Sequence, residues 1–344
     1  MKVNRDLLFD SLRGIAIIAV IATHSIYLGG SPDSPGFLYY RQLLNFAAPA
    51  FFFMSGYWAS KKQIESFKDY KGFLKRRFFR IGTPYLFWSL ILLSYSAIKK
   101  ADFDGFEIAF KLLTGGACIG YYFIIAISQL YIMTPLLQYI NKRLKWYGFA
   151  FVFVFNLAIL FILYLSRSFT ATSIRTIFVP FYSWIIYYET GLFIGVYYKN
   201  ISVSPRIRTG ILLAILGSWL ASNFEASILL SKYGRPLFAA SVVKYSSFVY
   251  SALVILGFLF WKDYFRHFSR LLSSIGHYSL GIYLIHAIIL GRFAVVFQKV
   301  DFISSFQPVY QLILVAATTA ASLVFIIAAR KLLPESFCVR VLGF

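Results

Sequence analysis

Three polar residues near the start of this chain, Asp10, Arg13 and His24, interrupt an otherwise apolar run. A helix advances about 100° and 1.5 Å per residue, so the eleven steps from Arg13 to His24 make three turns plus roughly 20°. Asp10 falls within about 60° of both on the same count. One helical face therefore carries all three, with His24 roughly 16 Å along the axis from Arg13. Between these two, that face presents Ile17 and Val20, with the small Ala16 at its edge. The polar groups form two ends with an apolar middle, which either lines the arm of an extended ligand or, more commonly, packs on a neighbouring helix. An ionisable residue inside a membrane span is costly and is a candidate functional residue by default. Burial favours the neutral imidazole, the form that accepts a proton as a general base. The competing structural account has His24 hydrogen-bonding a neighbouring helix and Arg13 reaching out to lipid phosphates.

Whether that face lies in a membrane is decided by composition. Of the 344 residues, 59% are hydrophobic, 20% aromatic and only 14% charged, whereas a soluble domain carries about a quarter charged residues. The charges are bunched, leaving apolar runs of about 15–20 residues that can cross a hydrocarbon core of about 30 Å. The expectation is an all-α polytopic transmembrane helical bundle, one domain over 1–344, with about ten spans. Their approximate ranges are 11–29, 44–60, 81–98, 117–138, 147–165, 176–197, 209–223, 242–261, 273–291 and 309–329. Gly29-Gly30-Ser31-Pro32, Ser204-Pro205, Gly234-Arg235-Pro236 and Gln307-Pro308 punctuate the gaps. The N-terminal run lacks a small-residue cleavage site and is expected to stay as the first span.

The net charge of +21 would suggest nucleic acid in a soluble protein. Here the basic residues lie in short loops between spans, where they act as an orientation signal, which argues against a nucleic-acid partner. With the N-terminus in the cytoplasm, about 23 of the 34 Lys and Arg residues fall on the cytoplasmic side. Both termini then come out cytoplasmic, and the 61–80 loop contributes most. That loop also suits anionic membrane lipid. Cys118 and Cys338 lie too far apart to suggest a disulfide framework or a zinc site, and no metal is expected.

Other residues join the candidate site. Glu189 is the only carboxylate expected well inside a later span; it either pairs with Arg13 or a lysine, or lines an acceptor cavity. Ser55 offers a hydroxyl, although small residues such as Ser55-Gly56 more often permit close helix packing. His286 falls mid-span, while His267 and His277 fall near the cytoplasmic end, where a solvated role is the simpler account. Tyr122, Tyr131 and Tyr283 can donate to a carbonyl oxygen, but the chain has 25 tyrosines and many serve as interfacial anchors.

The run Arg5-Asp6-Leu7-Leu8-Phe9-Asp10-Ser11-Leu12-Arg13-Gly14-Ile15-Ala16, followed by His24, resembles the opening of the membrane-bound acyltransferase-3 family. Four further segments resemble that family in the expected order. They are Phe51-Phe52-Phe53-Met54-Ser55-Gly56-Tyr57; Arg76-Arg77-Phe78-Phe79-Arg80-Ile81 with Pro84-Tyr85; Tyr121-Tyr122-Phe123 with Tyr131 and Pro135; and Gly276-His277-Tyr278-Ser279 with Ile282-Tyr283-Leu284-Ile285-His286. Each string is weak alone, but five in order over residues 5–290 are specific. The stretch 200–265 carries no recognisable motif.

The resemblance implies transfer of an acyl group, commonly acetyl, from cytoplasmic acetyl-CoA or another acyl-CoA. The implied acceptor is a hydroxyl of a cell-surface glycan, a glycolipid or a lipid-linked sugar precursor, at the cell (plasma or inner) membrane. The chain stops soon after the tenth span, so the acceptor is expected to be handled by the membrane domain or by a separate protein. Thioester alcoholysis needs a base, oxyanion stabilisation and cations for the donor phosphates. By resemblance His24 takes the base role, and an acyl-histidine intermediate is an open alternative. Arg13, Arg77 and Arg80 border the cytoplasmic ends of their spans, where guanidinium forks can hold phosphates. The alternative class is a transporter or flippase of a lipid-linked sugar, whose expected internal repeats or paired broken helices are not visible in the sequence.

Overall fold

A bilayer offers the backbone no hydrogen-bond partners, so apolar runs of this length satisfy their N–H and C=O groups internally by forming helices. The computed structural model describes residues 7–29, 35–100, 104–165, 178–198, 203–300 and 306–344, and has no strand among them. In chain order the helices are α1 (Leu7–Gly29), α2 (Pro35–Leu43), α3 (Ala47–Ser60), α4 (Phe67–Arg77), α5 (Thr83–Lys100), α6 (Gly105–Thr114), α7 (Tyr122–Leu144) and α8 (Trp146–Leu165). They continue as α9 (Ile185–Tyr197), α10 (Pro205–Tyr233), α11 (Pro236–Ala239), α12 (Tyr245–Phe260), α13 (Lys262–His277), α14 (Ser279–Phe297) and α15 (Gln307–Leu332).

Each of the ten expected spans overlaps at least one helix, yet only seven helical stretches among the described residues are long and apolar enough to cross a membrane. One of these is continuous from Phe67 to Lys99, through α4, a π-helical turn at Phe78–Gly82 and α5. The three shorter segments are α3, α9 and α12, with 14, 13 and 16 residues, against about 20 for a full crossing. Two boundaries also move. The expected 117–138 span begins as a helix only at Tyr122, because residues 117–121 form a turn, with Gly115 and Gly120 at φ 71° and 91°. Those backbone angles suit glycine, which has no Cβ to clash. The expected 273–291 span is broken at Tyr278, which separates α13 from α14.

Local signals fix the helix ends. Ser66 and Asp69 form a reciprocal capping box at the start of α4. Ser204 caps α10, with Pro205 in its first turn and Gly234 in the left-handed conformation at its end. On its outer surface α10 exposes Leu212, Leu213, Leu216, Leu220 and Phe224. Such a stripe would be a large apolar patch in water and is ordinary against lipid tails. The exposed Lys68, Lys71, Lys75 and Arg76 make α4 a basic helix that is suited to the charged headgroup layer.

α1 packs against α3, α13, α14 and α15, so the polar stripe lies at the centre of the bundle. Two glycine crossings set how closely its neighbours approach. Gly14 faces the Leu272 carbonyl and Gly276 faces the Asp10 carbonyl, holding α1 on α13. Gly56 faces the Tyr188 carbonyl and Gly191 faces the Phe53 carbonyl, holding α3 on α9. At all four positions a Cβ would run into backbone, so these are contacts that only glycine permits.

Candidate active site

The space enclosed by α1, α2, α3, α7, α14 and the α4–α5 junction is a cavity of about 730 Å³. Arg13, Ser55, Trp58, Arg77, Arg80 and His277 line one end, and Thr23, His24, Arg41, Asn45, Gly120 and Ser241 line the other. Val20, Phe51, Phe123 and Ile127 are among the apolar residues between them. The middle of the α1 stripe is thus divided. Val20 borders the cavity, while Ile17 and Ala16 are fully buried in packing.

The basic end is built from three arginines held in different ways. Arg13 donates to Asp10 Oδ1 at 2.8 Å. Asp10 is buried and does not line the cavity, so its direct effect is to orient Arg13. The Arg77 guanidinium sits over Tyr131 and Phe73, at 4.9 and 5.3 Å from their ring centroids. Stacking fixes its plane while leaving its N–H groups available. Arg80 is exposed and follows within the π-helical turn. Among the described residues no carboxylate pairs with Arg77 or Arg80, so this end keeps its positive charge.

At the opposite end His24 meets the turn before α7. A Cβ added to Gly120 would lie 3.1 Å from His24 Nε2, so glycine lets this turn reach the imidazole. Tyr283 donates its hydroxyl to the Gly120 carbonyl, and Tyr121 donates to the Leu284 carbonyl at 2.6 Å, tying the turn to α14. His24 Nδ1 is buried and has no hydrogen-bond partner among the described residues. The His286 ring lies 5.3 Å from it, centroid to centroid. His286 Nδ1 meets the Tyr283 carbonyl at 2.6 Å. A carbonyl only accepts, so that nitrogen carries the proton and Nε2 carries the lone pair.

The structure therefore groups Arg13, His24, Ser55, Arg77, Arg80, Tyr122 and Tyr283 around one cavity. It leaves three expected site residues off the cavity. Asp10 acts through Arg13, and His286 sits behind His24. Glu189 is fully buried, with the Asn141 side chain as its polar neighbour. It does not pair with Arg13, which belongs to Asp10, or with a lysine. Glu189→Gln is accordingly expected to change acyl transfer by no more than about twofold and to leave thermal stability equal or higher, because it removes a buried acid that no cation pairs with among the described residues and keeps an amide beside Asn141. Scanning fluorimetry and an activity assay on the purified variant check this, and a tenfold loss of activity would return Glu189 to the site.

Sequence reasoning missed Arg41, Asn45, Thr23 and Ser241. Arg41 did carry a signal: it lies just before an apolar run, on the side of the membrane that the loop charges leave poor in cations. Ser241 lies in the motif-free stretch and had none.

A family model described as an acyltransferase domain matches residues 7–327, a range that includes every residue lining this cavity. The chain belongs to the membrane-bound acyltransferase-3 family. The Bacillus subtilis (strain 168) protein YfiQ, named as a membrane-bound acyltransferase, is 26% identical over 264 residues, covering 72% of this chain and 69% of that protein. Nodulation protein NolL of Sinorhizobium fredii (strain NBRC 101917 / NGR234) is 26% identical over 146 residues, covering 42% of this chain and 39% of its own length. No solved structure matches the chain significantly. The protein is a multi-pass membrane acyltransferase, and its cavity joins a cationic end to a histidine.

Proposed function

We propose that this acyltransferase moves an acyl group, in the first instance acetyl, from cytoplasmic acyl-CoA to a sugar hydroxyl of a surface glycan, glycolipid or lipid-linked precursor. The observation that carries the reading is the continuity of the cavity between Arg13, Arg77 and Arg80 at one end and His24 at the other. Polyanionic donor phosphates fit the three guanidinium groups. An extended, largely apolar thioester arm fits the stretch past Val20, Phe51 and Ile127. The rise along α1 puts the imidazole roughly 16 Å from Arg13, so the thioester is presented away from its charged head.

At that end His24 takes the proton of the acceptor hydroxyl as its oxygen attacks the thioester carbonyl carbon. The carbonyl π electrons move to oxygen, giving a tetrahedral oxyanion. Collapse re-forms the C=O bond and breaks the C–S bond, and the thiolate takes the proton back from His24, yielding an ester and free thiol. Tyr122 and the polar residues lining this end are the available donors to the oxyanion. The chemistry needs no net change at the enzyme.

Purified protein offered radiolabelled acetyl-CoA and candidate sugar acceptors tests the reading directly. Label appearing in ester form on the acceptor supports it. Acceptor movement across a vesicle membrane without thioester loss would replace it with transport. Arg77→Gln is expected to raise the acyl-CoA KM about tenfold or more with kcat little changed, since the lost contact is made equally in ground and transition states. Initial rates over a donor concentration series measure that split.

A further inference from the structure

The cavity holds a second cationic group that the donor does not need. Arg41 of α2 lines the His24 end, across the apolar middle from Arg13, Arg77 and Arg80. Its Nε is buried and has no hydrogen-bond partner, and no carboxylate pairs with it among the described residues. Among the described residues its guanidinium is partnered by Asn45, whose Oδ1 accepts from Nη1.

That acceptor is itself fixed. Asn45 Nδ2 donates to Gln42 Oε1 at 2.8 Å and to Ser247 Oγ at 3.0 Å. Ser222 Oγ donates to Gln42 Oε1 at 2.8 Å, extending the network to α10. The amide can face only one way, nitrogen into the network and oxygen toward Arg41. Three helices, α2, α10 and α12, and the turn before α3 thus hold one guanidinium at the cavity wall, which Ser241 and Thr23 also line. Arg41 is half-buried, and its buried Nε–H gains a partner if a ligand anion enters the cavity.

We infer that Arg41, oriented by Asn45, is an anion subsite for the acceptor. It binds a phosphate or carboxylate group and places a neighbouring sugar hydroxyl at His24. This rests on the acyltransferase reading and names the acceptor class: a sugar carrying an anionic group close to the hydroxyl that is acylated. Two sources supply that chemistry, a polyprenyl-phosphate-linked sugar and a uronate-containing oligosaccharide. Arg41 is a substrate-binding residue here and takes no proton.

The test is equilibrium binding to the full-length purified protein in detergent, using four probes. They are a polyprenyl-phosphate sugar, the matching sugar on uncharged polyprenol, a uronate-containing oligosaccharide, and its neutral hexose counterpart. One anionic probe is expected to bind at least tenfold more tightly than its neutral match, and which of the two does so identifies the source. Arg41→Gln is expected to remove that preference, and Arg41→Lys to retain part of it, while acetyl-CoA affinity stays unchanged in both variants. Unchanged acetyl-CoA affinity also shows that the variants fold. Equal affinity for charged and neutral members of both pairs would overturn the inference, as would a preference that survives Arg41→Gln. Turnover of labelled acetyl-CoA by the same wild-type preparation is scored separately. An active enzyme without charge preference sinks the subsite alone, whereas a protein that binds these probes without acyl transfer sinks the catalytic reading.

Discussion

His24→Ala is expected to lower acyl transfer by about two to four orders of magnitude, the range in which a positioned general base contributes. The loss should fall on kcat, with the acyl-CoA KM nearly unchanged, because the arginines that would hold the donor phosphates lie at the other end of the cavity. The fold should survive. His24 Nδ1 makes no hydrogen bond among the described residues, and the ring faces a cavity rather than close packing on one side. Transfer measured at matched membrane abundance checks the prediction, and undiminished acylation would remove His24 from the mechanism. Acid-quenched wild-type enzyme retaining acyl label on His24 would change its role from base to nucleophile.

Gly56→Val is expected to abolish accumulation of folded protein, a larger effect than the loss of any single polar contact. The obstacle to the new side chain is the Tyr188 backbone carbonyl on α9, which no rotamer change can move. Overpacking against side chains typically costs about 1–3 kcal/mol, and here two whole helices would have to separate. Separation would also break the contact that Gly191 makes with the Phe53 carbonyl. Fluorescence-detected size-exclusion of the variant, with a melting curve where protein is recovered, measures this. The neighbouring Ser55→Ala should elute and melt like wild type, since Ser55 borders the cavity. A Gly56→Val protein that melts at the wild-type temperature would refute the close-packing account of this glycine.

The two predictions illustrate different degrees of legibility. Ser55-Gly56 can be recognised from sequence as a small-residue pair suited to close packing, but its partner cannot. Gly191 lies two residues past Glu189, and its role becomes visible only when α9 is laid against α3. Glu189 shows the reverse. Its charge in an apolar run marks it as a site candidate, yet the structure buries it away from the cavity. A rare residue type signals a constraint without saying which one. The turn at residues 117–121 was hidden because its residues are as apolar as a span, and hydropathy does not distinguish a helix from a turn enclosed by helices.

The Asp10, Arg13 and His24 stripe was determined by the sequence alone. Helical periodicity within one continuous segment fixes angle and depth without reference to any other part of the chain. The all-helical class followed equally directly, from apolar runs whose backbone must satisfy itself in lipid. What only the tertiary structure decided is the space opposite that stripe. Whether Val20 faces a cavity while Ile17 is packed, and whether Arg41 and Ser241 meet beside His24, depend on segments more than about 200 residues away in sequence. The distances between helices are set by glycine–carbonyl contacts and by a polar network that joins three helices and the turn before α3. Such contacts are pairwise facts about approach, and no single segment carries them.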